Sequence, residues 1–209
     1  MSIFSIFAKG GILMWILLLI SISVIAIVIE KYRKISRARG LNSKLINSLQ
    51  AQDKLENLRS VLRIYEDESP LSAVLSKLYL EHNDDPQLMR ESMESCADIE
   101  MHKLEKGMVW LSTFAAIAPL VGFLGTVIGM VKVFMNMQAA SQSGVDISLL
   151  AGGIWEALLT TVGGLVVGIP ALIFYNDLVQ NLENIAKEIQ DHSVAHLIRF
   201  QNLINPGNK

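Results

Sequence analysis

The sequence predicts an all-α integral membrane protein with three transmembrane helices, and both its composition and its pattern favour this class. Hydrophobic residues make up 51% of the 209 residues and charged residues only 18%, a balance typical of membrane proteins. Three apolar segments, at residues 12–29, 108–131 and 151–175, have about the 20 residues that a helix needs to span a bilayer. The net charge of −2 gives no indication of nucleic-acid binding, and the single cysteine, Cys96, excludes an internal disulfide.

The first span is predicted at residues 12–29, after a short external N-terminus at 1–11. Its apolar run ends in the charged sequence EKYRK, which begins at Glu30. A cleaved signal peptide is the alternative, but it would open with positive charge, have a shorter apolar region and end at a small-residue cleavage site. The run therefore predicts an uncleaved membrane anchor.

The distribution of basic residues predicts the orientation. Of the 18 Lys and Arg residues, 13 lie between Lys31 and Lys106, whereas only Lys9 precedes the first span. Cytoplasmic loops carry an excess of Lys and Arg. We therefore expect the N-terminus outside, the segment 30–107 in the cytoplasm and the connection 132–150 outside.

The cytoplasmic segment 30–107 is predicted to be helical. Its leucines recur at three- and four-residue intervals, as in an amphipathic helix: they are Leu41, Leu45, Leu49, Leu55, Leu58 and Leu62. Ser69-Pro70 and Asp85-Pro86 each place a good N-cap residue before a proline, which predicts a helix start. From Pro86 we expect one helix to run on into the second span. The isolated His82 and His102 form no catalytic constellation, so we predict that the protein is not an enzyme.

The second span (108–131) and the third span (151–175) each carry a face of small residues. In the second span this face contains Gly122, Gly125, Thr126 and Gly129, and in the third span Ala157, Thr161, Gly164, Gly168 and Ala171. Small residues allow helix backbones to approach closely in lipid, so we expect these seams to meet other helices and to support an oligomer. Pro119 and Pro170 are the expected kink positions.

Glu156 lies within the first turns of the third span. A carboxylate in the membrane costs about 2.5–3.5 kcal/mol on insertion scales, so such a residue faces protein or water and marks an ion or proton site. A structural glutamate at the membrane interface is the alternative. Helical spacing places Thr160 on the same face as Glu156. Thr126 is the hydroxyl on the seam of the second span. We expect Thr160 and Thr126 to supply hydroxyl partners for Glu156; in the alternative, Thr126 bonds the preceding turn of its own helix.

The C-terminal segment 176–209 is predicted to continue the third span as a cytoplasmic helix. Its heptad-like seam consists of Leu178, Leu182, Ile185, Ile189, His192 and His196. The two histidines are four residues apart, but no further ligand lies nearby in the sequence. We therefore predict no metal site and no cofactor.

Two sequence stretches carry a resemblance to a known family. They are PLVGFLGTV at residues 119–127 and GIWEALLTT at residues 153–161, the latter followed by GIPA at residues 168–171. Together with the three spans, they resemble the MotA/TolQ/ExbB proton channel family. Because stators of the MotA type have four spans, the three spans and Glu156 are similar to the ExbB/TolQ branch.

This resemblance implies a proton-channel or stator subunit in the bacterial inner membrane, with its N-terminus periplasmic and its C-terminus cytoplasmic. It implies a ring-forming homopentamer in membrane lipid, with single-span partners similar to ExbD or TolR in the pore. Proton flow would energise a TonB- or TolA-like protein. The family motifs assign the proton path to Thr126, Glu156 and Thr161. Helical spacing favours Thr160 beneath Glu156, so the choice between the two threonines stays open.

Two alternatives to an ExbB-like role in outer-membrane transport remain. One is a TolQ-like subunit that serves envelope integrity and division. The other is a membrane scaffold that conducts no ions, although such a scaffold has no reason to bury Glu156.

The predicted orientation can be tested by cysteine labelling in intact cells. A cysteine introduced at Ser143 should react with a membrane-impermeant thiol reagent, because residues 132–150 are expected outside. The native Cys96, expected in the cytoplasm, should stay unlabelled and serves as the internal control. The reverse labelling pattern would overturn the orientation.

Overall fold

A computed structural model describes residues 11–52, 54–65, 69–81, 85–139 and 147–204. Within these ranges the chain forms six α-helices and no strand: α1 (Gly11–Gln50), α2 (Leu55–Ile64), α3 (Pro70–Tyr79), α4 (Pro86–Glu105), α5 (Met108–Ala139) and α6 (Ile147–Ile204). The predicted N-terminus before Gly11, His82 and Ser143 lie outside the described residues.

Three of these helices, α1, α5 and α6, are long and apolar enough to cross a membrane. Large apolar side chains lie exposed along all three, including Leu19 on α1, Phe123 on α5 and Val166 on α6. Lipid accepts such side chains, and the helix satisfies its own backbone hydrogen bonds, as a spanning segment must. The predicted all-α class with three candidate spans is confirmed.

The chain divides into two units, and the first contains residues 11–29 and 107–177. In this membrane unit α5 continues past Val131 to Ala139, and α6 begins at Ile147. Both ends of the expected connection 132–150 are therefore helical. α1 packs on α6 at Gly163, where an added Cβ would lie 3.2 Å from the Met14 sulfur and 3.5 Å from Leu17 Cδ1.

The expectation of one uninterrupted helix from Pro86 into the second span is wrong. α4 ends at Glu105, and Gly107 has φ +98°, a left-handed conformation that glycine adopts without steric cost. The buried ammonium of Lys31 donates to the Leu104 carbonyl at 2.9 Å. This bond satisfies one of the carbonyls that the end of a helix leaves without a partner.

The second unit contains the described residues of 30–106 and of 178–204. Its core follows the predicted periodicity. Four leucines of the predicted amphipathic pattern are fully buried: Leu45, Leu49, Leu58 and Leu62. The first four residues of the α6 seam are buried as well: Leu178, Leu182, Ile185 and Ile189. The predicted amphipathic helices and the heptad-like seam are confirmed.

Both predicted N-caps are present. Ser69 and Ser72 form a reciprocal capping box, in which the Ser72 N–H donates to Ser69 Oγ at 3.1 Å and the Ser69 N–H to Ser72 Oγ at 3.2 Å. The Asp85 carboxylate accepts from the N–H of Gln87 at 2.9 Å. These bonds satisfy the free N–H groups at the first turns of α3 and α4.

A buried polar contact joins α3 to α6 within this second unit. The Tyr79 hydroxyl lies 2.9 Å from His196 Nδ1, and the Tyr79 ring meets Phe200 edge to face. Burial lowers the pKa of His196 to about 4, with smaller contributions from the charges of Arg199 and His192. His196 is therefore neutral at physiological pH and is buried with a hydrogen-bonding partner, so it acts as part of the core.

This histidine should make the stability of the protein fall in mild acid. The native imidazole has a pKa of about 4, whereas the unfolded chain protonates near pH 6.5. Between these values only the unfolded chain binds the proton, so acid favours unfolding. We expect His196 to account for a loss of about 1–2 kcal/mol between pH 7 and pH 5.

Melting curves in detergent over this pH range measure the effect. His196→Gln should flatten the dependence, while the control His102→Gln, at an exposed position, should retain it. Equal pH slopes for the native protein and His196→Gln would contradict the prediction.

Candidate functional site

The site is built on the contact between α5 and α6. An added Cβ on Gly122 would lie 2.9 Å from the Thr160 carbonyl oxygen and 3.1 Å from Gly164 Cα, and one on Gly129 would lie 2.7 Å from Ala157 Cβ. At Gly125 an added Cβ would meet the Thr160 side chain. Residues further along α5 contact residues earlier in α6, so the two helices are antiparallel. Their backbones touch along the glycines.

The same seam continues towards the other end of the two helices. An added Cβ on Gly168 would lie 2.6 Å from both Cγ and Cδ of Pro119, and one on Gly164 would lie 2.5 Å from the Ala118 carbonyl oxygen. Pro119 and Pro170 lie inside α5 and α6, and the kinks expected there stay predictions. The two seams meet each other within one chain, so they no longer support the prediction of an oligomer.

Two threonines bridge α5 and α6 with their hydroxyls. Thr161 Oγ1 donates to the Gly122 carbonyl at 3.0 Å and also contacts Thr126 Oγ1. Thr126 Oγ1 lies 3.4 Å from the Ala157 carbonyl oxygen on α6. The partners of Thr126 therefore belong to the opposite helix, and the alternative in which it bonds its own preceding turn is wrong.

Thr160 is placed differently. Its side chain is buried against Gly125, and its hydroxyl donates to the carbonyl of Ala157 in its own helix at 2.8 Å. The sequence suggested Thr160 and Thr126 as hydroxyl partners of Glu156. In the structure these hydroxyls bond to Ala157 and Thr161 instead.

Glu156 contacts a lysine and the start of α1. Its Oε1 lies 3.7 Å from Lys132 Nζ, and an added Cβ on Gly11 would lie 2.6 Å from the same oxygen. The Glu156 side chain is 33% exposed and that of Lys132 61%. The carboxylate thus has a cation beside it and remains accessible from outside the chain.

The sequence patterns did not identify Lys132 as part of the site, because in the sequence it is only a basic residue at the end of the second span. An antiparallel alignment of the two seams would have identified it. When Gly129 is set opposite Ala157, Lys132 and Glu156 fall at the same end of the helix pair. Among the described residues, no group of three His, Cys, Asp or Glu could hold a metal ion.

A helical membrane protein with an ion pair and bridging hydroxyls between two of its spans has the features of an ion-translocating subunit. Residues 45–191 match the MotA/TolQ/ExbB proton channel family, and the chain belongs to this family. Its relatives place it in the ExbB/TolQ branch.

A protein of Synechocystis sp. named ExbB-like 1 is 34% identical over 177 residues, which cover 83% of this chain and 69% of that protein. The biopolymer transport protein ExbB of Neisseria meningitidis is 29% identical over 200 residues, which cover 87% and 86% of the two chains. The Tol-Pal system protein TolQ of Haemophilus influenzae is 37% identical over 87 residues, which cover 42% of this chain and 37% of that protein.

The close packing of α5 on α6 predicts that a larger residue in the seam lowers the free energy of unfolding. Gly164→Ala adds a methyl group 2.5 Å from a backbone oxygen of α5, and a backbone cannot move aside as a flexible side chain can. We expect a loss of about 1–3 kcal/mol, the usual cost of overpacking.

The matched control is Gly152→Ala on the same helix, where an added Cβ has nothing within 4 Å. This control should be neutral or slightly stabilising, because alanine favours a helix over glycine by up to about 1 kcal/mol. Thermal unfolding in detergent compares the two variants. Equal melting temperatures would show that α5 and α6 are less tightly packed than described.

Proposed function

We propose that this protein is the proton-channel subunit of an inner-membrane motor that uses the proton motive force to energise a TonB-type protein for outer-membrane transport. The observation that carries this proposal is the Glu156 carboxylate, which lies in a candidate span beside the seam of α5 and α6. The ExbB relatives support the transport role because they match along most of the chain.

A TolQ-like role in envelope integrity and division is the second candidate. It rests on the TolQ relative, whose higher identity is confined to 87 residues. A non-conducting scaffold is favoured less, because a scaffold gains nothing from an ionisable group in a span. Ionisable residues within spans are costly even when they are paired, and they mark ion or proton paths.

The energetics of the proposed cycle are sufficient. One charge that crosses a potential of 100 mV releases about 2.3 kcal/mol, so a few protons can drive a conformational step. In the proposal Glu156 takes up and releases the proton, and Thr126 and Thr161 provide hydroxyls along the α5–α6 contact. Thr161 is the better candidate than Thr160, because its hydroxyl bridges the two helices while that of Thr160 is engaged within α6.

The proposed assembly is a homopentamer in the bacterial inner membrane, with the N-terminus periplasmic and the C-terminus cytoplasmic. The glycine seams are engaged inside one chain, so neighbouring subunits would meet through other faces of α5 and α6. Exposed apolar residues are available on both helices, for example Phe123 and Val162. A single-span protein similar to ExbD or TolR would occupy the central pore and transmit the motion to a TonB- or TolA-like protein.

Glu156→Gln tests the proposal directly. Glutamine keeps the shape of the side chain but cannot take up and release a proton, so the variant should assemble normally and lose proton flux by about 100-fold or more. Glu156→Asp should retain part of the flux, since the acid survives on a shorter side chain. The control is Glu183→Gln, which removes an exposed carboxylate from the same helix and should leave flux unchanged.

The measurement uses complexes purified from the native host with their accompanying partners. They are reconstituted into vesicles of phosphatidylethanolamine and phosphatidylglycerol that contain a pH-sensitive dye. A membrane potential is applied and the internal pH is followed. Native flux in Glu156→Gln would show that the carboxylate is structural and would refute the proton-channel role assigned to it.

A further inference from the structure

The described membrane segments contain very few charges. Lys132 is the only charged residue of α5, and Glu156 is the only charged residue of α6 between Ile147 and Tyr175. α1 carries no charge from Gly11 to Ile29. The two charges have opposite sign and lie 3.7 Å apart at the same end of the α5–α6 pair. Because each would be costly alone in a membrane, their meeting indicates a paired role.

The position of this pair is fixed by close packing on both sides. Gly129 of α5 lies against Ala157, the residue after Glu156, and Gly153 of α6 leaves room for the side chain of Val133, the residue after Lys132. The two charged residues therefore stand next to backbone contacts that tolerate little displacement. Gly11, the first residue of α1, packs against the Glu156 carboxylate. The side chains cannot drift apart through movement of their helices without breaking these contacts.

The ion pair between Lys132 and Glu156 is loose enough to break and to form again. A distance of 3.7 Å is longer than a hydrogen bond between an ammonium and a carboxylate, which is about 2.7–2.9 Å. The ammonium has three donors, and most of the Lys132 side chain is exposed. Such a pair orients the carboxylate and still leaves it open to an incoming proton.

We propose that Lys132 is a positioning residue for proton translocation, which holds the Glu156 carboxylate at the outer end of the α5–α6 contact. This inference rests on the proposed function. A proton from the water at that end joins the carboxylate, and the attraction to the ammonium is lost. Lys132 keeps its own protons throughout and turns towards water. When Glu156 releases its proton along the path, the carboxylate and the ammonium pair again.

This role differs from that of a lysine that only anchors α5 at the membrane surface. An anchor acts through its length and polarity, so glutamine would replace it with little effect on flux. A positioning cation acts through its charge, so arginine should replace it and glutamine should not. The matched control is Met135→Gln, which introduces the same amide at an exposed position on the same helix and removes no charge.

The experiment measures proton flux in the reconstituted complex, with melting temperature and assembly recorded in parallel. Lys132→Gln should still assemble but lose flux by about ten- to a hundredfold, the range that misplacement of a reacting group produces. Lys132→Arg should keep most of the flux, and Met135→Gln all of it. Native flux in Lys132→Gln, or equal losses in Lys132→Gln and Lys132→Arg, would overturn the proposal.

Two further outcomes are informative. If Lys132→Gln fails to assemble because Glu156 is left without its cation, the double variant Lys132→Gln/Glu156→Gln should assemble again, and its failure to do so would overturn the proposal. Glu156→Gln, measured alongside, separates this inference from the proposed function. Native flux in Glu156→Gln refutes the proton-channel role of the carboxylate, whereas lost flux in Glu156→Gln with native flux in Lys132→Gln refutes only the role of Lys132.

Discussion

The close approach of α5 and α6 is the contact on which the membrane unit depends. Lipid tails are as apolar as leucine side chains, so two helices gain little in lipid by burying large apolar residues against each other. They gain instead from dispersion contacts between backbones, which only very small side chains permit. Gly122 of α5 contacts Gly164 of α6, and Gly129 of α5 contacts Ala157 of α6. The contact also fixes the register of the two helices, and the register decides which polar groups meet.

The polar groups of this unit are distributed as a low-dielectric environment requires. Thr161 bonds the Gly122 carbonyl across the helix pair, while Thr160 bonds the carbonyl of Ala157 within its own helix. Glu156 of α6 lies beside Lys132, the only charged residue of the facing helix α5. An unpaired hydroxyl or charge in hydrocarbon costs several kcal/mol, so these pairings make polar groups between α5 and α6 compatible with a stable membrane protein. The polar groups meet because the glycines bring the two helices together.

Local sequence signals predicted the elements well and their partners less well. The caps at Ser69 and Asp85 depend on bonds within one turn, and periodicity alone identified the buried leucines, so both were visible in the sequence. The break at Gly107 was missed, although a glycine that follows His102, Lys103 and Lys106 is a typical signal for the end of a helix. Periodicity likewise gave each glycine face but not the helix that would cover it. The pairing of Glu156 with Lys132 needs the antiparallel register, which is a tertiary property.

The single helix α6 shows how the surroundings decide which residues pack. Up to Asp177 it belongs to the membrane unit, where its contact face is built from Ala157, Gly164 and Gly168. From Leu178 it belongs to the second unit, where leucine and isoleucine fill the contact face and are almost completely buried. Water drives large apolar side chains together by roughly 25 cal/mol per Å² of buried surface, whereas lipid provides no such drive. A change from small to large contact residues along one continuous helix is what a change of solvent produces, with no change in secondary structure.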